Sequence, residues 1–473
     1  MDFSAFDAYI EAHIEDALAD LIALCRIPSV EGRKEALGEA VAKVRELAAS
    51  AGIAAQSVAP RADRPPIITG EVGDTGPLLM VYNHYDVQPE DPLDAWETPP
   101  FEPTLRGGHL YARGVADNKV NLVARIFAVR AWNAVYAALP LRLRFIWEGE
   151  EESGGEQLAA FVDARHEWIG EAEGCLWESG YRDDSGAPVI SLGVKGLLCR
   201  ELRCKTASSD AHSGQGGLIP NAIWRLINAL NTMRAPDGTV TIDGFQERVV
   251  IPSTADLALL DPLPWSAEEY RERYGVDMLV GGRTGTEALK VLFFGTSCTI
   301  NGISGGFEGE GTKTVIPATA RAKLDLRLVP NLQPALVLDL IRTHLARRGY
   351  EDIEVIPFEG NTMPARTSPE SAIAKAAVEA LYAVGGVAPI VYPISPGSGP
   401  MYELCQAHGV PAANFGCGWS GSHVHAPNEN IRVSDFVEGI KAFGRLIEAF
   451  PRHAASTRNE RATASDSPPA LRQ

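Results

Sequence analysis

Two kinds of hydrophobic pattern divide this chain. In its first third, short apolar runs alternate with segments of helical period. "GPLLMVYNHYD" is apolar from Leu78 to Tyr82 and then turns polar, which predicts a buried strand. "NKVNLVARIFAVRAWNAVYAAL" repeats Leu122, Ile126 and Val129 at helical spacing, with Val123 and Phe127 beside them and Asn118 as a candidate cap. "LRLRFIW" puts Leu141, Leu143, Phe145 and Trp147 on one face of a strand. Strands interleaved with helices predict a covered, largely parallel sheet. At the N-terminus, Phe3, Phe6, Ile10, Ile14 and Leu18 recur as on one amphipathic helix.

The middle of the chain follows the second pattern. "TARAKLDLRLVP" alternates strictly, with Ala320, Ala322, Leu324, Leu326 and Leu328 against Thr319, Arg321, Lys323, Asp325 and Arg327. That alternation predicts a strand of a sheet with one face in water. A helix follows in "QPALVLDLIRTHLARRG", opened by Pro334 and stopped by Gly349. "GLLCRELRCKT" and "PNAIWRLINALNTM" form an earlier strand–helix pair. The first pattern then returns in the helices "ESAIAKAAVEALYAVGG" and "SDFVEGIKAFGRLIEAF", the second capped by Ser434. The expected fold class is therefore α/β. A mostly parallel-sheet domain spans 1–195 and 367–453, and a smaller α/β domain, sheet plus helices, is inserted at 196–366. The polar, Pro/Ser/Ala-rich stretch 454–473 is expected to be a disordered tail.

Composition narrows the function classes. The net charge of -18 argues against a nucleic-acid partner, since phosphate backbones need basic surface. No apolar run approaches membrane-spanning length, so no membrane partner is expected. The seven cysteines are scattered, odd in number and without a CxxC pair, which predicts reduced thiols in a cytoplasm.

Chemistry gathers at the ends of apolar segments. "VYNHYD" presents His84 and Asp86, and "YARGVADNKV" places Asp117 between a turn and a helix start. "RFIWEGEEESGG" crowds Glu148, Glu150, Glu151 and Glu152, "GCLWESG" adds Glu178, and "GSHVHAPNENI" offers His423 and His425. Singly, each has a plainer reading as a turn, a helix cap or a solvated loop. Together, two histidines and three carboxylates suit a pair of divalent metals of zinc or manganese type. A further carboxylate, left off the metals, can then take a proton from water. Two rivals fail on local pattern. "GISGG" matches the serine-hydrolase elbow, but "GGFEGEGTKT" cannot supply the helix it needs. "GEEESGG" lacks the alternating oxygen donors of a calcium loop.

These segments resemble the co-catalytic zinc metallopeptidases that include carnosine dipeptidases, aminoacylase, acetylornithine deacetylase, succinyl-diaminopimelate desuccinylase and glutamate carboxypeptidase. The family's boxes match "HYD", "GVADNK", "EESG" and "HAPNE", in that order. "DAHSGQGG", "GEGTKTVIP" and "DLRLVPN" look like the inserted domain of the carnosine-dipeptidase branch. The resemblance implies one metal on His84, Asp117 and Glu178, and a second on Asp117, Glu152 and His425. The ions would be Zn²⁺, with Mn²⁺ or Co²⁺ as the other candidates. It implies that Glu151 is the general base toward a water between the metals, that Asp86 orients His84, and that the Asp117–Asn118 peptide is cis. It further implies a homodimer through the inserted domain, with His212 stabilising the oxyanion in the neighbouring subunit. Arg327 would bind the substrate carboxylate, and Ser398 would line the substrate site. Glu178 stands where the dipeptidase branch usually has Asp; Glu there is more typical of carboxypeptidases and aminoacylases. The expected activity is hydrolysis of dipeptides or short peptides with a free C-terminal carboxylate. The alternatives are an N-acyl-amino-acid deacylase on the same site and an inactive metal-binding scaffold.

Overall fold

The computed structural model describes residues 1–465 apart from 359 and 396, with side chains described as far as residue 458. The chain forms two compact units. One comprises Met1–Leu192, Thr367–Tyr392 and the segment from Glu403 onward; the other comprises Gly193–Arg366 and Pro393–Tyr402. Among the described residues no helix is long and apolar enough to cross a membrane, and all seven cysteines are free thiols.

The first unit is built on an eight-stranded sheet in the order 54–58, 67–72, 142–148, 78–84, 174–177, 412–414, 189–191, 390–392. The strands Arg142–Glu148, Leu78–His84, Gly174–Trp177 and Ala412–Asn414 run parallel to one another; 67–72 joins them antiparallel on one side and 189–191 on the other, with 54–58 antiparallel to 67–72 and 390–392 parallel to 189–191. Every residue of Leu78–His84 is buried, as expected of a strand covered on both faces. The helix Val120–Val135 is buried at Leu122, Ile126 and Val129 but also at Asn121 and Arg125, so it lies in the interior rather than on the surface. The second unit has a four-stranded antiparallel sheet in the order 297–305, 319–328, 196–205, 354–357. In Thr319–Leu328 the even-numbered residues are buried and the odd ones face outward. Leu324, Leu326 and Leu328 pack in one core with Leu226 of the helix Ala222–Asn231 and Ile341 of Pro334–Arg347.

Several local expectations are corrected. The N-terminal segment is two helices, Ser4–Ala12 and Ile14–Cys25, broken at His13. Asn118 is not a cap, because its side-chain oxygen accepts from Asn83. The last helix begins at Val433, which puts Ser434 inside its first turn. That helix also runs through Pro451 to Ser465, where a disordered tail was expected from 454; residues 466–473 lie outside the described set. Packing and an ion pair hold the start of the extension: Ala454 is buried and Arg458 Nη1 lies 3.5 Å from Glu173 Oε1. Finally, segment 393–402, expected in the larger domain, belongs to the second unit. Ser395 N–H donates to the Gly193 carbonyl at 2.7 Å and Lys195 N–H to that of Gly397 at 2.9 Å.

Candidate metal centre

Parallel strands bring their carboxyl ends to one edge of the sheet, where sites in open α/β sheets form. His84 ends one strand and Glu148 ends its neighbour, paired in register. Glu178 directly follows the strand Gly174–Trp177. Asp117 is presented by a tight turn after Gly114, whose φ is +75°; a Cβ there would come within 2.0 Å of Val87 Cγ1, so only glycine fits. The Asp117–Asn118 peptide is cis. Glu151 and Glu152 sit on a single 3₁₀ turn closed by Gly154 at φ +114°.

The donors then meet in pairs. His84 Nε2 lies 3.1 Å from Asp117 Oδ1 and 3.8 Å from Glu178 Oε2. His425 Nε2 lies 3.2 Å from Asp117 Oδ2 and 3.2 Å from Glu152 Oε2. Asp117 thus turns one oxygen to each histidine. Behind His84, Nδ1 is 3.1 Å from the Asp86 carbonyl and 3.5 Å from its carboxylate, a support that keeps Nε2 free to act as a ligand. The ligand atoms of His84, Asp117 and Glu152 lie within 4.8 Å of one another, as do those of His84, Glu151 and Glu178.

The crowded glutamates resolve into different fates. Glu150 turns away, pairing with Arg64 at 3.1 Å and accepting the Gln157 N–H at 2.9 Å. Glu148 accepts from Tyr82 Oη at 2.6 Å, and burial pushes its carboxyl up to about 8. Only Glu151 and Glu152 of the run reach the donor cluster. Burial, together with the nearby Asp117 and Glu152 carboxylates, lifts Glu178 to about 7, and burial beside Glu178 raises Glu151 well above the usual range. Hydrogen bonds to Asp117 and Glu152 raise His425 to about 10. Against its burial, His425 and His84 hold Asp117 well below the usual carboxylate range, so the acids of this cluster depend on positive charge beside them.

The side chains fit a bound cation. Glu152 Oε1 and Glu178 Oε2 are buried without a hydrogen-bond partner, a costly state unless something binds there. Imidazole nitrogens with carboxylate oxygens form a donor set for zinc- or manganese-type cations. His425 is half exposed, so the centre is open on its side.

The remaining candidates lie in the second unit. Arg327 Nη1 donates to Ser398 Oγ at 3.0 Å. His212 is exposed, and its Nδ1 accepts from the Gly214 N–H at 3.0 Å. Ser304, of the serine-hydrolase-like pattern, lies within the strand Ser297–Gly305 and not at a strand-to-helix elbow. Sequence reasoning missed Gln88, whose Nε2 donates to Glu152 Oε2 at 2.9 Å. It also left Glu429 without a task, although "HAPNE" contains it.

The peptidase family M20/M25/M40 matches residues 80–449. The chain belongs to this family. Among curated M20 relatives, it is 27% identical over 400 residues to the Cys-Gly metallodipeptidase dug1 of Schizosaccharomyces pombe, covering 80% of this chain and 81% of that protein. It is 29% identical over 395 residues to the Beta-Ala-His dipeptidase of Homo sapiens, covering 81% and 77%. Its fold resembles the M20 family metallo-carboxypeptidase Sso-CP2 of Sulfolobus solfataricus, with a TM-score of 0.82 and 31% identity over 92% of this chain and 99% of that one. The chain is a metal-dependent peptidase of the carnosine-dipeptidase-like branch.

Proposed function

We propose that this M20 peptidase cleaves the amide bond of dipeptides or short peptides bearing a free C-terminal carboxylate, at a centre of two divalent metals. The observation that carries the reading is the division of Asp117: Oδ1 faces His84 at 3.1 Å and Oδ2 faces His425 at 3.2 Å. A carboxylate so placed is suited to bridge. His84, Asp117 and Glu178 would hold one ion, and Asp117, Glu152 and His425 the other, with Zn²⁺ as the proposed metal. Bound cations of this kind acidify water and polarise a carbonyl oxygen.

The chain's own groups do the rest. Glu151, left over from both ligand sets, takes the proton of the attacking water and delivers it to the leaving amine. Asp86 holds His84 in the tautomer with Nε2 free. Arg327 has no carboxylate within ion-pair distance among the described residues, and it receives the substrate's terminal carboxylate beside Ser398. The protein works as a homodimer through the second unit, in a reducing cytoplasm, with His212 serving the neighbouring subunit's oxyanion. The relatives' names, two dipeptidases and a metallo-carboxypeptidase, support peptide substrates.

The test is a rate comparison. Metal-loaded protein is assayed on dipeptides, the same dipeptides amidated at the C-terminus, and N-acyl amino acids. The expected order is free dipeptides fastest, with amidation slowing them strongly. Faster turnover of N-acyl amino acids would make it a deacylase, and turnover of none would favour an inactive scaffold.

A further inference from the structure

Glu429 is 1% exposed, and both of its carboxylate oxygens are fully engaged. Oε2 accepts from Arg113 Nη1 at 2.8 Å and from the Gly114 N–H at 2.8 Å. Oε1 accepts from the N–H groups of Ala116 at 2.9 Å and Asp117 at 3.1 Å. All four donors belong to the turn that presents Asp117. The Glu429 carbonyl also accepts the Ala112 N–H at 3.1 Å, so backbone and side chain grip the same segment.

The loop that leads to Glu429 is itself under strain. His423, His425 and Asn428 have φ of 53°, 62° and 61°, a region that non-glycine residues seldom occupy and that costs free energy to hold. Such a conformation persists only where neighbours impose it. Here Arg113 Nη1 reaches the carbonyl of Ala426 at 3.3 Å, the residue after His425. Asn428 Oδ1 accepts the Glu97 N–H at 2.8 Å, and Asn428 Nδ2 donates to the Ala95 carbonyl at 3.1 Å. Arg113 and Glu429 therefore join two segments more than three hundred residues apart, one bearing Asp117 and the other His425.

We propose that Glu429, braced by Arg113, is a positioning residue for the metal centre. Its carboxylate fixes the Asp117 turn against the His425 loop, so that the two oxygens of Asp117 are aimed before any cation arrives. This rests on the two-metal reading above. The plainer alternative is a buried ion pair that serves folding alone. The two differ in what a conservative change does. Gln has the shape of Glu but offers an amide NH₂ where two N–H donors already point, so the turn must shift while the core stays filled. Asp keeps the charge that Arg113 needs but is too short to span donors from 113 to 117.

The test compares the full-length wild-type chain with Glu429→Gln and Glu429→Asp. Zn²⁺ is titrated into metal-free protein against a chromophoric chelator, and melting temperature is followed with and without Zn²⁺. In both variants we expect Zn²⁺ affinity at one or both sites to fall by about 10–100-fold, the usual effect of removing a partner that orients a ligand. Metal-free Glu429→Gln should melt below wild type, because Arg113 is left buried without its counter-charge, and in both variants the rise on adding Zn²⁺ should shrink relative to wild type. Wild-type affinity in Glu429→Gln overturns the inference, as does full recovery in Glu429→Asp, which would mean that charge alone matters. If Glu429→Gln does not fold, Glu429→Asp decides by the same criterion. A wild-type chain that takes up no zinc overturns the two-metal reading and this inference with it. Uptake of two ions by wild type with unchanged variant affinity overturns this inference alone.

Discussion

Oδ2 of Asp86 accepts the backbone N–H of Glu152 at 3.0 Å. The same carboxylate lies 3.5 Å from Nδ1 of His84 through its other oxygen. One side chain therefore supports a histidine on one strand end and the glutamate turn after another. Asp86→Ala is expected to lower metal affinity and kcat/KM together. Losses of this kind run to about 10–100-fold, and here the lower end is expected. His84 Nδ1 keeps its contact with the Asp86 carbonyl at 3.1 Å, which the substitution leaves in place. Zinc content after dialysis and steady-state kinetics check this; unchanged values for both would remove Asp86 from the site.

Glu151→Gln separates proton transfer from metal binding. Glu151 lies in the donor cluster with His84 and Glu178, but neither of the two ligand sets proposed around Asp117 includes it. The expected outcome is full metal occupancy with kcat reduced by about 10²–10⁴-fold, the range for loss of a general acid–base group. Loss of a metal equivalent would instead make Glu151 a ligand. Near-normal kcat would refute its role as base.

The fold class was legible because period and burial agree. Thr319–Leu328 alternates in sequence and in exposure, and Leu78–His84 is apolar and wholly buried. The donors to the centre were legible as residue types at strand ends. Their mutual arrangement came from the family resemblance alone, since His84, Asp117 and His425 are far apart in sequence and meet only through tertiary packing. Glu148 and Glu150 look like Glu151 and Glu152 in sequence, yet a buried tyrosine and Arg64 take them out of the cluster. Ser398 looked like part of the larger domain until the backbone bonds of 193–195 tied its loop to the second unit. The continuation of the last helix past 453 was missed because its polar residues pair with partners far away in sequence, as Arg458 does with Glu173 at 3.5 Å.

His344 predicts a pH dependence of stability in the second unit. It is fully buried, with Nδ1 accepting the Asp243 N–H at 3.0 Å and Nε2 lying 2.9 Å from Thr232 Oγ1. Thr232 Oγ1 donates to the Ala229 carbonyl, so it accepts from a neutral imidazole. Burial and the nearby Arg348 hold the ring below its ordinary value of 6.5, against the opposing pull of Asp243. As pH falls below 6.5, the unfolded chain takes up a proton that the folded chain refuses. Stability contributed by neutral His344 is therefore present above that pH and lost as pH drops through the folded value. Metal-free wild type and His344→Gln are melted from pH 7.5 to 5.5. The variant should be less stable at pH 7.5, with the gap closing toward pH 5.5. Titrations at the metal centre are common to both chains and cancel. A gap independent of pH would show that His344 does not titrate in this range.

His212 carries the prediction that activity needs two subunits. It is exposed on the second unit, and among the described residues its side chain is hydrogen-bonded by the N–H of Gly214, two residues on. A histidine that merely closed this turn would be replaceable at little cost to turnover. One that donates to the neighbouring subunit's oxyanion would be worth about 2.7–4 kcal/mol in the transition state, a loss of 10²–10³-fold in kcat with metal content unchanged. Subunit mixing distinguishes donation across the dimer from donation within a chain. His212→Ala and Glu151→Ala chains are each prepared inactive and then combined. If His212 acts in trans, each mixed dimer has one site that is wholly deficient and one that has both an intact Glu151 and an intact His212 from the other subunit. Activity should then recover toward half that of a wild-type dimer per mixed dimer. If His212 acts within its own chain, every site in the mixture lacks one group and the activity stays at the level of the parents. Mixed dimers shown to form, yet silent, would therefore exclude donation in trans.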